Sequence, residues 1–140
     1  MFDTDNFLNT QTTETTATEY APVPEGEFNA VIDKLAARSP KGNSILDVSW
    51  RLDAPGDTEA DGKIVRQSVF LDITENGGLD NSKGKNVQLG RLRAAIGQNN
   101  AGQAWAPNMM LGQVAIVSVK HRVVDDGTIY ADVKGTAPVA

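Results

Sequence analysis

Asn86-Val87-Gln88-Leu89-Gly90-Arg91-Leu92-Arg93-Ala94-Ala95-Ile96-Gly97 is the one stretch of this chain with a convincing helical period. Leu89, Leu92 and Ile96 fall on a single stripe, and Gly97 stands where helices commonly end in a left-handed residue. Arg91 and Arg93 lie roughly 100° to either side of Leu92, so they flank the apolar stripe instead of entering it. A polar loop that holds Gly77, Gly78 and Gly84 feeds the helix from the N-terminal side.

Outward from this helix the apolar period changes from 3.6 to two. On the N-terminal side, Phe28, Ala30 and Ile32 alternate with polar neighbours, Val31 excepted, and predict a first strand running to about Arg38. Ser39-Pro40-Lys41-Gly42-Asn43 is a turn cluster. Leu46, Val48, Trp50 and Leu52 then face one way while Asp47, Ser49, Arg51 and Asp53 face the other. After a polar loop from Ala54 to Gly62, a third strand sets Val65, Val69, Leu71 and Ile73 against Arg66, Ser68 and Asp72. On the C-terminal side, strands are predicted over Gln113–Val123 and Thr128–Lys134, joined by the hairpin signal Asp125-Asp126-Gly127. Three strands, a helix and two strands is the chain order of an OB-fold, a five-stranded Greek-key barrel. The chain is therefore read as mainly β, with an OB-like nucleic-acid-binding domain over residues 27–140. The competing architecture is a two-sheet sandwich with the helix on one edge.

Charge is segregated along the chain. Residues 1–27 carry Asp3, Asp5, Glu14, Glu19, Glu25 and Glu27 and no Lys or Arg, a net of −6. Residues 28–140 hold 13 basic and 12 acidic groups, and from Asn81 to Val124 there is no carboxylate but Lys83, Lys85, Arg91, Arg93, Lys120 and Arg122. A pooled positive field attracts a phosphate backbone whatever the net charge of the whole chain. Residues 1–26 read as a flexible acidic N-terminal arm, because their Thr, Asn and Gln cannot offset the entropy of ordering. Phe2, Phe7 and Leu8 are an apolar cluster such an arm does not require. The arm is expected to compete with a nucleic acid for the basic surface, or to dock a partner protein. The absence of cysteine and the single histidine, His121, exclude thiolate and multi-histidine metal sites, so no cofactor is expected. No apolar run approaches the roughly 20 residues that span a bilayer, and no signal peptide opens the chain, which predicts a soluble intracellular protein with no membrane contact.

The candidate binding residues follow from charge and alternation. Arg66, Lys120 and Arg122 occupy polar strand faces, Tyr130 shares its face with Asp132 and Lys134, and Arg91 and Arg93 flank the helix. Lys83 and Lys85, with amides at the helix start, are placed to hold one phosphate. The run Gly78–Asn86 is not a nucleotide-binding loop, since five residues separate Gly78 from Gly84 and Asn86 replaces the required Ser or Thr. Trp50 is assigned to the core, Trp105 to anchoring its loop or to stacking, and His121 to a half-buried position beside Ala115, Val117, Val119 and Val123. The carboxylates show no recognisable catalytic spacing, which argues against an enzyme.

Several short motifs then combine. They are Phe2-Asp3 through Phe7-Leu8-Asn9-Thr10, Pro22-Val23-Pro24-Glu25-Gly26-Glu27-Phe28, Leu71-Asp72-Ile73-Thr74-Glu75, Gly77-Gly78-Leu79-Asp80, Lys83-Gly84-Lys85-Asn86, Leu89-Gly90-Arg91-Leu92-Arg93 and Ala131-Asp132-Val133-Lys134-Gly135. With them the chain resembles, over nearly its whole length, a bacteriophage family of small proteins long catalogued as a domain of unknown function. Members of that family resemble OB-type single-stranded-DNA-binding proteins and travel with replication and recombination genes. The resulting expectation is a phage protein of the host cytoplasm that coats single-stranded DNA without sequence preference, as a monomer or a homo-oligomer, with phage or host replication proteins as partners of the arm. It transfers no binding residues. The competing functions are a capsid-decorating structural protein and a replication adaptor.

Overall fold

The computed structural model describes residues 2–18 and 21–139. The arm carboxylate Glu19 lies outside the described residues. Five strands, β1 (Gly26–Arg38), β2 (Ser44–Asp53), β3 (Ile64–Leu71), β4 (Val114–Val123) and β5 (Ile129–Ala137), close into a barrel in the order β1-β2-β3-β5-β4. The one α-helix among the described residues, α1 (Val87–Ala95), lies between β3 and β4 in the chain. This is the OB-like arrangement, and the sandwich alternative is excluded by closure of the sheet.

β1 makes closure possible. It pairs with β4 through Gly26–Val31 and with β2 through Asn29–Arg38, and its register slips between Ile32 and Lys34. An extra residue in one strand bends and coils it, which lets one long strand serve both sides of a small barrel. The interior is filled by the inward set of each strand. Trp50, Val48, Leu52, Val65, Val69, Val117 and Val119 are all 2% exposed or less. Trp50 sits among them as expected, and its indole N–H donates to Gln67 Oε1 at 3.0 Å. Gln67 is the one buried polar side chain among the described residues, so donor and acceptor satisfy each other where no water reaches. α1 buries Leu89, Leu92 and Ala95 and packs against β3 and β5.

Two strand expectations are corrected. Ile73 is not part of β3; the strand ends at Leu71, and Ile73 makes an isolated bridge with Leu79. The cause is Asn86, whose side chain accepts from the Asp72 N–H (2.8 Å) and donates to the Asp72 carbonyl (2.9 Å) and the Asp80 carbonyl (3.0 Å). That clamp lifts the chain out of the ladder, and it accompanies a left-handed Asn86 (φ 52°), a conformation Asn tolerates better than most residues. The second correction is His121, which is exposed along with Lys120, Arg122 and Val123. Beyond a register shift between Ser118 and Val119, β4 buries Val119 and then leaves the core, with every residue from Lys120 to Val123 exposed. Alternation persists there, but it no longer carries a β4 side chain into the core.

Residues 2–18 are exposed throughout, and their hydrogen bonds are local. Among the described residues no helix is long and apolar enough to cross a membrane.

Candidate functional site

β3 and β5 run parallel and meet at a single register pair, Arg66 with Asp132. Beyond that pair the strands diverge, and a groove of about 840 Å³ opens along the seam. The period of two in β3 decides what faces it. Val65, Gln67 and Val69 point inward, so Ile64, Arg66, Ser68 and Phe70 point outward, and all four line the groove. β5 contributes Tyr130, Asp132 and Lys134, and β4 contributes Arg122. Pro22 and Val23 add a wall from the segment just before β1.

The exposed edge of β3 is capped by a side chain. Phe70 N–H donates to Gln88 Oε1 (3.3 Å), and Gln88 Nε2 donates to the Ser68 carbonyl (3.1 Å). α1 thus substitutes for the ladder where β5 has moved away, and it leaves the groove wall with satisfied backbone.

The cations in the groove are not equivalent. Arg122 Nε sits 2.6 Å from the Asp132 carboxylate, and its guanidinium carbon lies 4.9 Å from the Tyr130 ring centroid. The hydrogen bond to Asp132 pushes the Arg122 pKa further up. Arg66 and Lys134, by contrast, have no carboxylate within ion-pair distance among the described residues. They are the cations most ready to meet an incoming anion. Two aromatic rings accompany them, Phe70 at 60% and Tyr130 at 47% exposure. Phe70 escaped the sequence reading, although strand alternation puts it on the face of Arg66 and Ser68.

The nine residues singled out from sequence divide by location. Arg66, Arg122, Tyr130 and Lys134 line the β3–β5 groove. Lys85, Arg91 and Arg93 line a separate hollow beside α1. Lys83 and Lys120 are exposed and line neither. Arg93 has a structural role, since its Nε and one terminal nitrogen both donate to the Gln98 carbonyl (3.1 and 3.0 Å) and its guanidinium lies 4.0 Å above the Trp105 ring. Trp105 in turn donates to Gln98 Oε1 at 2.9 Å, which anchors its loop. At the helix start, the Asn86 N–H already donates to the Asp72 carboxylate (3.0 Å). A carboxylate beside that terminus competes with a phosphate for the same amides.

His121 fastens the root of the arm to the barrel. Its ring Nε2 lies 2.7 Å from the Val23 carbonyl, and its backbone N–H donates to Glu25 at 2.7 Å. That N–H holds the Glu25 carboxyl below the usual range. The acidic arm therefore leaves the body at the groove wall formed by Pro22 and Val23. Among the described residues no group of three or more His, Cys, Asp or Glu side chains is placed to hold a metal ion. No family model matches the chain, and no curated protein matches it.

Proposed function

We propose that this protein binds single-stranded DNA without sequence preference in the β3–β5 groove, as a non-enzymatic coating protein of phage replication or recombination in the host cytoplasm. The observation that carries the reading is the composition of the groove. Arg66 and Lys134, with no ion-pair partner among the described residues, stand beside the exposed rings of Phe70 and Tyr130 on an open barrel face. Single strands are held by this combination, a cationic track for the backbone and aromatic faces on which any base can stack. A B-form duplex keeps its bases stacked inside and offers no ring faces to Phe70 or Tyr130. Asp132 has a part too: Arg122 is held by it in the free protein, and a phosphate arriving in the groove offers Arg122 a second anion. The acidic hairpin tip Asp125-Asp126 bounds the ribbon and disfavours a path for the strand over that end.

The test is fluorescence anisotropy with a labelled oligonucleotide, single-stranded and duplex, at several salt concentrations. Preferential single-strand binding is expected, with log K falling against log salt at about −0.7 per phosphate contact. Arg66→Ala with Lys134→Ala should weaken binding at least tenfold and leave the melting temperature nearly unchanged, since both side chains are exposed. Tighter binding to duplex, or affinity indifferent to salt, would refute the proposal.

A further inference from the structure

Residues 2–10 form a small structure of their own. Asp3 Oδ1 accepts the Asp5 N–H (3.0 Å), Asp3 Oδ2 accepts from the Asn6 side chain (2.8 Å), and the Asp3 carbonyl accepts the Phe7 N–H (3.0 Å). A 3-10 turn follows at Phe7–Asn9, closed by Thr10 N–H on the Phe7 carbonyl at 3.0 Å. The Phe2 and Phe7 rings pack 4.9 Å apart, yet Phe2, Phe7 and Leu8 remain 65%, 55% and 89% exposed. An otherwise polar arm thus presents a preformed apolar knob flanked by Asp3 and Asp5. Contiguous exposed apolar surface of this kind marks an interaction site.

A matching recess lies on the barrel, away from the residues of the β3–β5 groove. It is an open groove of about 310 Å³ lined mainly by Leu35, Leu46, Leu71, Leu79, Leu89 and Pro107. Leu89 is shared with the hollow that carries Lys85 and Arg91, so the apolar recess adjoins a basic rim.

We infer that the N-terminal turn of one copy docks in the Leu35–Leu89 groove of a second copy, with Phe2 and Phe7 in the recess and Asp3 and Asp5 toward Lys85 and Arg91. Size fits, because an apolar cavity of about 150 Å³ holds one benzene ring and this groove has room for two. Charge fits as well: residues 1–27 hold no Lys or Arg, and Lys85 and Arg91 on the rim have no carboxylate within ion-pair distance among the described residues, although Asp80 is near enough to Lys85 to feel its charge. Reach is sufficient, since Gln11 to Glu25 extends to roughly 50 Å at full stretch and about 20 Å as a coil. The knob is exposed and so leaves its own recess open. Each copy carries one knob and one recess, so the contact can pass head to tail from copy to copy. Resting on the strand-binding reading, this association would set copies side by side along a coated strand and make coating cooperative; the docking itself does not depend on DNA.

Sedimentation velocity of the full chain without nucleic acid, over a concentration series, tests the docking. The parent should associate increasingly with concentration. The double variant Phe2→Ala/Phe7→Ala and, separately, Ala37→Arg should each associate at least tenfold more weakly. Ala37 is an exposed strand position on the groove, so the arginine obstructs the recess without entering the core; an unchanged melting curve verifies this. A 1:1 mixture of the two variants is decisive. The first retains a recess and the second retains a knob, so the mixture should form a two-copy species and nothing larger. A parent that stays monomeric, variants that associate like the parent, or a mixture that stays monomeric would each overturn the inference. Because no DNA is present, none of those results touches the strand-binding proposal, which fails or stands on the anisotropy measurement.

Discussion

Trp50 shows how much one residue position can carry. Its ring is fully buried and its N–H is matched to Gln67 Oε1. Trp50→Ala should cost about 3–5 kcal/mol, as emptied aromatic sites do. Trp50→Phe removes less volume but strands a buried acceptor, worth about 1–3 kcal/mol. Adding Gln67→Leu to Trp50→Phe should recover part of that loss, and denaturant titration of the single and double variants measures it. Asp47 makes a different prediction. It accepts from Arg38 Nε (2.6 Å) and Ser68 Oγ (3.0 Å), and Arg38 foremost holds its carboxyl below the usual range. Because the folded value is lowered, the stability it contributes is complete above the ordinary carboxylate range and is lost as pH falls through the folded value. Thermal melts from pH 7 to pH 3 should show a flatter acid limb for Asp47→Asn than for the parent. The difference should be about 1 kcal/mol or less, since both partners are partly solvated.

At the scale of elements, the end of α1 and its loop form one unit. Arg93 ties the helix end to its loop by a two-nitrogen contact to the Gln98 carbonyl and stacks on Trp105, and Gln98 Nε2 extends the link to the Met109 carbonyl at 2.9 Å. Arg93→Ala should destabilise by about 1–2 kcal/mol and shift Trp105 fluorescence. Arg93→Lys should not restore either, because a point-like ammonium cannot reproduce the planar fork and the stacking together. Charge counting along the sequence put Arg93 with the DNA-binding residues, but only the loop's return path shows that its guanidinium is already engaged. At the other end of α1, the side chain and N–H of Asn86 join the helix start to Asp72 and Asp80 and stop β3 at Leu71.

For the whole molecule, the placement of the arm makes a testable difference to binding. The arm, with five carboxylates in residues 1–26, is fastened at the groove wall through the His121 contacts to Val23 and Glu25. On an oligonucleotide that holds a single copy, deleting residues 1–21 should strengthen binding at low salt. The gain should shrink as screening shortens the reach of the arm's field. On long single strands the same deletion should reduce cooperativity, because the knob that joins neighbouring copies is gone. Anisotropy on a short oligonucleotide and a binding isotherm on a long one separate the two effects.

The sequence by itself determined the order of elements, the helix stripe, the Trp50 core position and the outward face of Arg66 and Tyr130. All of these follow from local periodicity, which the burial of one face imposes on a strand or helix. Only the tertiary structure decided which cations share a surface, because the barrel brings β3 beside β5, more than 60 positions apart in the chain. It separated Arg66 and Lys134 in one groove from Lys85 and Arg91 in another hollow, paired Arg122 with Asp132, and added Phe70. It also exposed His121, since alternation states which way a side chain points but not whether a core lies beneath it. A period records direction along one strand; proximity between strands is set by closure of the sheet.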